Sequence, residues 1–375
     1  MPTCFVPRER RPGETRVAAS PDTVKRFKKA GCEVRIEPGA GERAGFEDRA
    51  FEAVGATIGG SAEGADLVLK VSPPTLEEIE GYSAGQTVVS LIAPAFHRDE
   101  VRALAAKGVT ALAMDLIPRI SRAQSMDALS SQATIAGYKA VLLAASNSNK
   151  LCPLMMTAAG TVPPAKAVIF GAGVAGLTAI ATARRLGCVV EATDVRMAVK
   201  EQVESLGASF IEVPGAEDME DAGGYAKEQS SEFLARQREE VAKRVAEADI
   251  VITTAQIPGR TAPVLVDDAM LDSMKRGAVV VDLAVETGGN CSGSVLGEIT
   301  ERKGVTIIGI PNLPATVPLH ASELYAKNIW NLLAPAFREG AFAIDFEDEV
   351  FRGCRLTADG EIQHAPTAAL LQQES

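Results

Sequence analysis

The stretch Val168-Ile-Phe-Gly-Ala-Gly-Val-Ala-Gly-Leu177 decides the fold of this chain. An apolar run precedes three glycines spaced G-x-G-x-x-G, and small apolar residues follow them, which is the order of a buried strand, a tight turn and a helix. Gly171 permits the turn, Gly173 lets the backbone approach a ligand, and Gly176 allows close contact between helix and strand. Because the N–H groups at the start of a helix favour phosphate, the stretch predicts a site for a dinucleotide pyrophosphate.

Asp194 ends the next predicted strand, a little over 20 residues further on. An acidic residue at this position accepts hydrogen bonds from the adenosine ribose and repels a 2′-phosphate, so the sequence favours NAD over NADP. Arg196 follows closely and offers a cation for a 2′-phosphate, which keeps NADP as an alternative. The other interpretation is that Asp194 has a structural role only, as a cap at the end of the strand.

Strands and helices alternate on both sides of this stretch, which predicts parallel, doubly wound sheets. We expect an α/β protein with two Rossmann-like domains joined by connecting helices. The first domain is expected to comprise residues 1–125 and 320–375, and the NAD(H)-binding domain residues 126–319. The tail resembles a hairpin with Asp359-Gly360 at its turn, and we expect it to join the first domain. The predicted strands cover residues 65–71, 85–93, 109–117, 188–194, 208–213, 248–255, 278–285 and 305–310.

Composition excludes several classes of protein. The formal net charge is −11 and no long basic run occurs, so we expect no nucleic-acid partner. The six cysteines are scattered without a CxxC pair, which argues against a metal site and favours a reducing compartment. Residues 167–183 carry no charge, but glycines interrupt them, so a strand, turn and helix explain them better than a membrane span.

Residues 119–132 concentrate hydrogen-bonding side chains between the two predicted domains. They are suited to orienting a nicotinamide carboxamide and ribose, and the alternative is a solvated linker that leads into a helix at 133–146. The three histidines, His97, His320 and His364, lie in no motif for acid–base catalysis. That pattern suits hydride exchange between two nicotinamides, which needs positioning rather than a proton acceptor.

Two basic residues of the first domain, Arg16 and Lys70, lie near predicted strand or loop ends. They are suited to an anionic substrate, although the default expectation for each is a surface ion pair.

Across nearly its whole length the chain resembles the NAD(H)-binding component of proton-translocating NAD(P) transhydrogenases, called domain I or the alpha-1 subunit. The most specific stretches are PRERRPGETRVA, PRISRAQSMDALSSQ, MMTAAGTVPPAKAVIFGAGVAGL, ATDVR, KEQVESLGASF, AGGYAKE and VDLAVETGGN. The related alanine dehydrogenases share the fold and the glycine turn but not these segments.

The resemblance implies a set of site residues. Those expected to hold the nicotinamide end for hydride transfer are Arg119, Gln124, Asp127 and Ser130, with Ile120 and Ser121 as further cofactor contacts. Those expected under the pyrophosphate and around the adenosine are Gly171, Ala172, Gly173, Val174, Gly176, Asp194, Val195 and Arg196. Gly224 and Tyr225 match a mobile loop that closes over bound nucleotide, with Tyr225 among the catalytic positions. Gln237 and Gln256 match further nucleotide contacts, although the family more often has Leu at position 256.

The resemblance also implies a hydride transfer (Si-specific/Re-specific) between NAD(H) here and NADP(H) on a partner subunit. We expect a homodimer without direct membrane insertion. It would dock on an NADP(H)-binding domain and a membrane-embedded subunit, at the cytoplasmic face of the inner membrane.

Alanine dehydrogenase activity is the alternative, with Arg16 and Lys70 at its substrate-anchoring positions. Its catalytic His and Asp correspond here to Ile92 and Glu286, which argues against amino-acid oxidation, although His97 lies nearby.

Overall fold

The computed structural model describes residues 1–212, 231–257, 259–338 and 340–373. The chain divides into two units, Met1–Gln132 with Pro314–Ser375, and Ala133–Leu313. The sequence-based boundaries were 125/126 and 319/320. The structural boundaries differ because the intervening residues are tied to the first unit: Gln132 hydrogen-bonds to Arg16 and to the Ala321 carbonyl.

The N-terminal segment of the first unit alternates strands with short helices. Its strands are β1 (Thr3–Val6), β2 (Glu33–Ile36), β3 (Thr57–Ile58), β4 (Leu67–Leu69), β5 (Thr87–Ser90) and β6 (Thr110–Ala113). Its helices are α1 (Pro21–Lys29), α2 (Asp48–Glu52), α3 (Leu76–Glu80) and α4 (Arg98–Ala106). Helix α1 begins as its sequence predicts, because the Ser20 side chain accepts from the Thr23 N–H and proline occupies the first turn.

The second unit carries the glycine-rich stretch. Helix α5 (Ala128–Asn147) begins in the first unit and continues into the second. The strands that follow are β7 (Met155–Thr157), β8 (Gly160–Val162), β9 (Lys166–Phe170), β10 (Val189–Thr193), β11 (Ser209–Phe210), β12 (Ile250–Thr253), β13 (Val279–Asp282), β14 (Ile299–Arg302) and β15 (Val305–Ile308). The helices are α6 (Val174–Arg185), α7 (Lys200–Ser205), α8 (Ser231–Glu247) and α9 (Asp268–Ser273).

The C-terminal segment returns to the first unit. It comprises α10 (Pro318–Leu333), β16 (Phe337–Arg338), β17 (Ala341–Phe342), α11 (Glu349–Cys354), β18 (Arg355–Ala358), β19 (Glu361–Ile362) and α12 (Ala365–Gln372). The predicted hairpin is confirmed: β18 and β19 pair antiparallel, and Asp359 and Gly360 between them have positive φ. Strand β18 also pairs with β6, so the tail completes the first sheet as expected.

Both sheets follow the strand order of a doubly wound fold. In the first unit the order is β19-β18-β6-β5-β4-β1-β2-β3, and the run from β3 to β6 is parallel. In the second unit the order is β11-β10-β9-β12-β13-β15-β14, parallel except for β14. The direction of chain progression reverses between β1 and β4, and between β9 and β12. Ligands of such sheets bind beyond the carboxyl ends of the strands at this switch point.

The sequence missed β3, β14, the β7–β8 hairpin and the β16–β17 pair, and it overestimated the lengths of several strands. Strand β14 escaped notice because it is an antiparallel edge strand whose exposed sequence, ITER, contains no apolar run. Residues 119–132 are more regular than the linker alternative predicts. Ser121–Met126 form a 3-10 helix, and α5 starts at Ala128, five residues earlier than the predicted 133.

The cores of both units consist mainly of aliphatic side chains, as the low aromatic content suggests. All six cysteines are buried free thiols. The uncharged stretch of residues 167–183 forms β9, the glycine turn and α6, as expected. Within the described residues, no helix combines the length and apolar character needed to cross a membrane.

Candidate functional site

The turn between β9 and α6 has the geometry that its glycines predict. Gly171 has a φ of +92°, and a Cβ there would lie 2.5 Å from Thr254 Oγ1. Gly176 packs even more closely, because its Cβ would lie 1.8 Å from the Gly171 carbonyl oxygen. Both positions therefore require glycine for the fold itself.

Gly173 differs from its two neighbours in this turn. Its φ of −76° is available to any residue, and no atom lies within 4 Å of the place where a Cβ would stand. The described protein thus gives no packing reason for glycine here, and the open space lies at the start of α6. Among the described residues, no side chain caps this helix N-terminus. The turn accordingly fits a phosphate group that would approach the backbone at Gly173 and face the first N–H groups of α6.

Asp194 follows β10 and is bound to the same turn. Its Oδ2 accepts a 2.7 Å hydrogen bond from the Ala172 N–H and a 3.0 Å bond from the Arg196 guanidinium. Its Oδ1 accepts from the Arg196 N–H at 2.9 Å and from Arg196 Nε at 3.0 Å. The structure therefore brings the predicted pyrophosphate and adenosine positions together at the switch point of the second sheet, with Val195 half-buried between Asp194 and Arg196.

The sequence missed the residues that shape the neighbouring loops. Asn290 is fully buried, accepts from the Ala255 N–H and donates to the carbonyls of Ala255 and Pro263. Asp282 is fully buried and accepts from the N–H groups of Asn290 and Cys291. A sequence signal for these two residues was present: a strand that ends in Asp is followed by Gly288-Gly289-Asn290. Paired glycines indicate a tight turn, and both adopt positive φ in the structure. These side chains fix the carboxyl ends of β12 and β13.

The remaining residues predicted for the second unit lie on different elements. Gln256 follows β12, is exposed, and donates through Nε2 to the Leu283 carbonyl at 2.9 Å. Gln237 lies in α8. Val174 is the exposed first residue of α6. Gly224 and Tyr225 lie outside the described residues.

The candidate nicotinamide segment belongs to the first unit, on the 3-10 helix and the start of α5. Arg119, Ser121 and Gln124 are exposed, whereas Ile120 packs against the core of the unit. Asp127 caps α5: its carboxylate accepts from the Ser130 N–H at 2.8 Å and from Ser130 Oγ at 2.5 Å.

This segment is held in place by the C-terminal segment of the first unit. The Ser125 carbonyl accepts hydrogen bonds from the side-chain amides of Asn328 and Asn331, each at 2.9 Å. Arg122 donates two 2.8 Å hydrogen bonds to the Asp348 carboxylate, a bidentate pair. The exposed polar side chains thus stand on an anchored backbone.

The expectation that Arg16 is a surface ion-pair residue was wrong. The residue is 6% exposed and makes a bidentate pair with Glu14, with Nε–Oε1 at 2.8 Å and Nη2–Oε2 at 2.6 Å. Ser72 Oγ also donates to Glu14. Burial by itself raises the pKa of Glu14, but the hydrogen bonds and charge of Arg16 outweigh it and lower this pKa to about 2.

Lys70 is buried as well, contrary to expectation. It is fully buried and lies between two carboxylates, Glu9 at 3.2 Å and Glu78 at 2.8 Å. Burial lowers the pKa of Lys70, but the two carboxylates more than compensate and raise it. Arg16 and Lys70 follow β1 and β4, so these paired charges lie at the switch point of the first sheet, and the chain's own carboxylates already neutralise them.

Of the positions relevant to amino-acid oxidation, position 92 carries no ionisable group and position 286 carries a glutamate. Ile92 is fully buried, and the His97 ring nitrogen lies 3.3 Å from the Ala93 carbonyl. Glu286 is exposed and accepts from the Asn312 N–H.

Two sheets in the Rossmann strand order, one with a glycine turn linked to an acidic strand end, define a two-domain α/β nucleotide-binding protein. Family models for the alanine dehydrogenase/PNT N-terminal and C-terminal domains match residues 5–136 and 140–365. The chain belongs to the alanine dehydrogenase/PNT family.

Comparison with individual proteins separates the two branches of this family. The chain is 49% identical over 372 residues to the first part of NAD(P) transhydrogenase subunit alpha from Rhodospirillum rubrum, covering 96% of this chain and 97% of that protein. The solved structure of a transhydrogenase from Sinorhizobium meliloti is similar, with a TM-score of 0.89 at 48% identity, covering 96% of this chain and 99% of that one. Alanine dehydrogenase of Bacillus subtilis is more distant, at 28% identity over 383 residues, covering 98% of this chain and 94% of that protein.

Proposed function

We propose that this chain is the NAD(H)-binding subunit of a proton-translocating NAD(P)⁺ transhydrogenase. The observation that carries the proposal is the end-to-end likeness, at nearly half identity, to the first part of a transhydrogenase alpha subunit. The glycine turn supports it, because Gly173 leaves open space that packing alone does not require. Asp194 supports NAD(H) as the bound nucleotide, since a carboxylate repels the 2′-phosphate of NADP(H).

The residues of this chain bind and orient, and a bound nicotinamide supplies the hydride chemistry. The turn Gly171–Gly176 holds the pyrophosphate, and Asp194, Val195 and the main chain of Arg196 hold the adenosine side. Gln237 and Gln256 add nucleotide contacts. The anchored segment with Arg119, Ile120, Ser121, Gln124, Asp127 and Ser130 orients the nicotinamide, and the loop with Gly224 and Tyr225 closes over it.

The partner proposals follow from the same resemblance. The chain forms a homodimer and docks on an NADP(H)-binding domain that belongs to a complex with a membrane-embedded subunit, at the cytoplasmic face of the inner membrane. Hydride passes directly from one nicotinamide to the other, and proton translocation belongs to the membrane component.

The test begins with isothermal titration of the purified chain with NADH and with NADPH. We expect tight binding of NADH and weak binding of NADPH. Addition of an NADP(H)-binding domain is then expected to allow deuterium transfer from 4-deuterated NADH to NADP⁺ without exchange with solvent. Alanine- or pyruvate-linked turnover by the chain alone would instead identify an amino-acid dehydrogenase.

A further inference from the structure

The Asp194 carboxylate is fully occupied by donors from the protein. A carboxylate offers about four acceptor positions on its two oxygens. Among the described residues, four donors fill them: the Ala172 N–H, the Arg196 N–H, and two N–H groups of the Arg196 guanidinium. The Asp194 side chain is only 7% exposed and that of Arg196 is 17% exposed.

This occupancy conflicts with the binding of a ribose in the same place. Adenosine ribose hydroxyls can donate to Asp194 only after one of its present donors leaves. Two of the four donors are backbone N–H groups, one in the glycine turn and one directly after β10. The other two both belong to the Arg196 guanidinium, which is carried by a side chain that can rotate away.

We propose that the Arg196 guanidinium and the adenosine ribose compete for the Asp194 carboxylate, and that NAD(H) binds by exchanging this guanidinium for ribose hydroxyls. The inference rests on the proposed function, because it takes the adenosine ribose to lie at Asp194. It assigns to the Arg196 side chain the role of a competitor that sets the affinity for NAD(H), while the charge of Asp194 sets the preference over NADP(H).

The exchange explains how one ion pair distinguishes the two nucleotides. A ribose with free hydroxyls returns donors to Asp194 after the guanidinium leaves. A 2′-phosphorylated ribose has lost the 2′-hydroxyl donor and places negative charge against the carboxylate. With NADP(H) the carboxylate keeps its two backbone donors but lacks the 2′-hydroxyl donor and faces a negative charge, whereas with NAD(H) ribose hydroxyls replace the guanidinium donors.

The decisive variant is Arg196→Met, which removes the competing donors but keeps the backbone N–H bond to Asp194. We expect NADH to bind about tenfold more tightly, since a hydrogen bond to a charged group changes an equilibrium by about that factor. NADPH is expected to remain a weak ligand, because Asp194 stays charged. The control is Arg244→Met. It also removes one positive charge, and its partner, Glu191, lies on the same strand β10, 3.0 Å from the Arg244 guanidinium.

The opposite variant, Asp194→Asn, releases Arg196 from its charged partner. We expect weaker binding of NADH and tighter binding of NADPH than in the parent, because the guanidinium becomes available to a 2′-phosphate. The double variant Asp194→Asn/Arg196→Met is expected to lose the gain in NADPH affinity. The measurement for all variants is isothermal titration with both nucleotides, after circular dichroism has shown that each variant is folded.

The outcomes separate the two proposals. NADH affinity that is unchanged or lower in Arg196→Met would overturn the exchange, and so would an equal gain in Arg244→Met. Failure of the parent chain to bind NADH would overturn the proposed function instead.

Discussion

Asp127 is the residue whose structural and proposed catalytic roles are easiest to separate. Its carboxylate caps α5 through Ser130, and asparagine is an equally good cap. We expect Asp127→Asn to keep the free energy of unfolding within about 0.5 kcal/mol and to lower hydride transfer in the reconstituted complex about 100-fold. Single-turnover transfer rates and urea unfolding measure the two effects.

Asp127→Ala serves as the comparison, because it removes the cap as well. It is expected to cost about 1 kcal/mol in the free energy of unfolding. If Asp127→Asn transfers hydride as fast as the parent, Asp127 has only the capping role.

Glu14 makes the stability of the first unit sensitive to acid. Its pKa in the folded chain is about 2, below the ordinary value of 4.5. A depressed pKa stabilises the fold fully above the ordinary value, and the contribution is lost as pH falls from 4.5 through 2. Since a tenfold change in proton affinity is worth about 1.4 kcal/mol, the contribution near neutral pH is about 3 kcal/mol.

Glu14→Gln mimics the protonated carboxyl. We expect this variant to be less stable than the parent at pH 6, with the difference shrinking toward zero near pH 2. Denaturant unfolding at a series of pH values, followed by the fluorescence of Trp330 in the first unit, measures that difference. A difference in the free energy of unfolding between the two proteins that does not change with pH would contradict the role of the ionised Glu14–Arg16 pair.

The junction of β9 and α6 gives a prediction at the scale of an element. A methyl group at position 176 would meet the Gly171 carbonyl at 1.8 Å, so Gly176→Ala is expected to lower the free energy of unfolding by about 2 kcal/mol. A methyl group at position 173 meets open space, so Gly173→Ala should cost less than about 1 kcal/mol. It should nevertheless weaken NADH binding about tenfold, since the methyl group occupies the phosphate position.

Thermal unfolding and NADH titration of the same two variants check this pair. Normal NADH affinity in Gly173→Ala would mean that the pyrophosphate lies elsewhere.

Elements with a strong local signal were predictable from sequence, and elements defined by their neighbours were not. The strand–turn–helix of 168–177 was evident because apolar periodicity and glycine spacing agree. Helix α5 was placed too late, because its start depends on a cap, Asp127, inside a polar segment. The burial of Arg16 and Lys70 could not be foreseen, since Glu14, Glu9 and Glu78 neutralise them only once the chain has folded.

The first unit as a whole depends on the two ends of the chain. Leu356 on β18 is fully buried, and Thr357 Oγ1 donates to the Val109 carbonyl at 2.8 Å. Removal of residues 355–375 would therefore expose the edge of β6 and a portion of the core. We expect that truncation to abolish the native near-ultraviolet circular dichroism of Trp330, which packs edge-on against Phe27 at 4.9 Å.

A shorter truncation serves as the control for the loss of β18. Removal of residues 364–375 deletes α12 but keeps β18 and β19, so a folded first unit with reduced stability is expected. An intact Trp330 signal after the longer truncation would show that β18 is dispensable.

The buried cysteines can report local unfolding of each unit. Cys4, Cys32 and Cys354 belong to the first unit, and Cys152, Cys188 and Cys291 to the second. Alkylation needs an accessible thiolate, and burial raises the pKa of Cys188 and of Cys354 to about 12. A reagent such as iodoacetamide should thus mark each cysteine only while its surroundings are transiently unfolded. Peptide mass spectrometry would then give the alkylation rate of each cysteine, and hence the rate of local unfolding in each unit, without any engineered label.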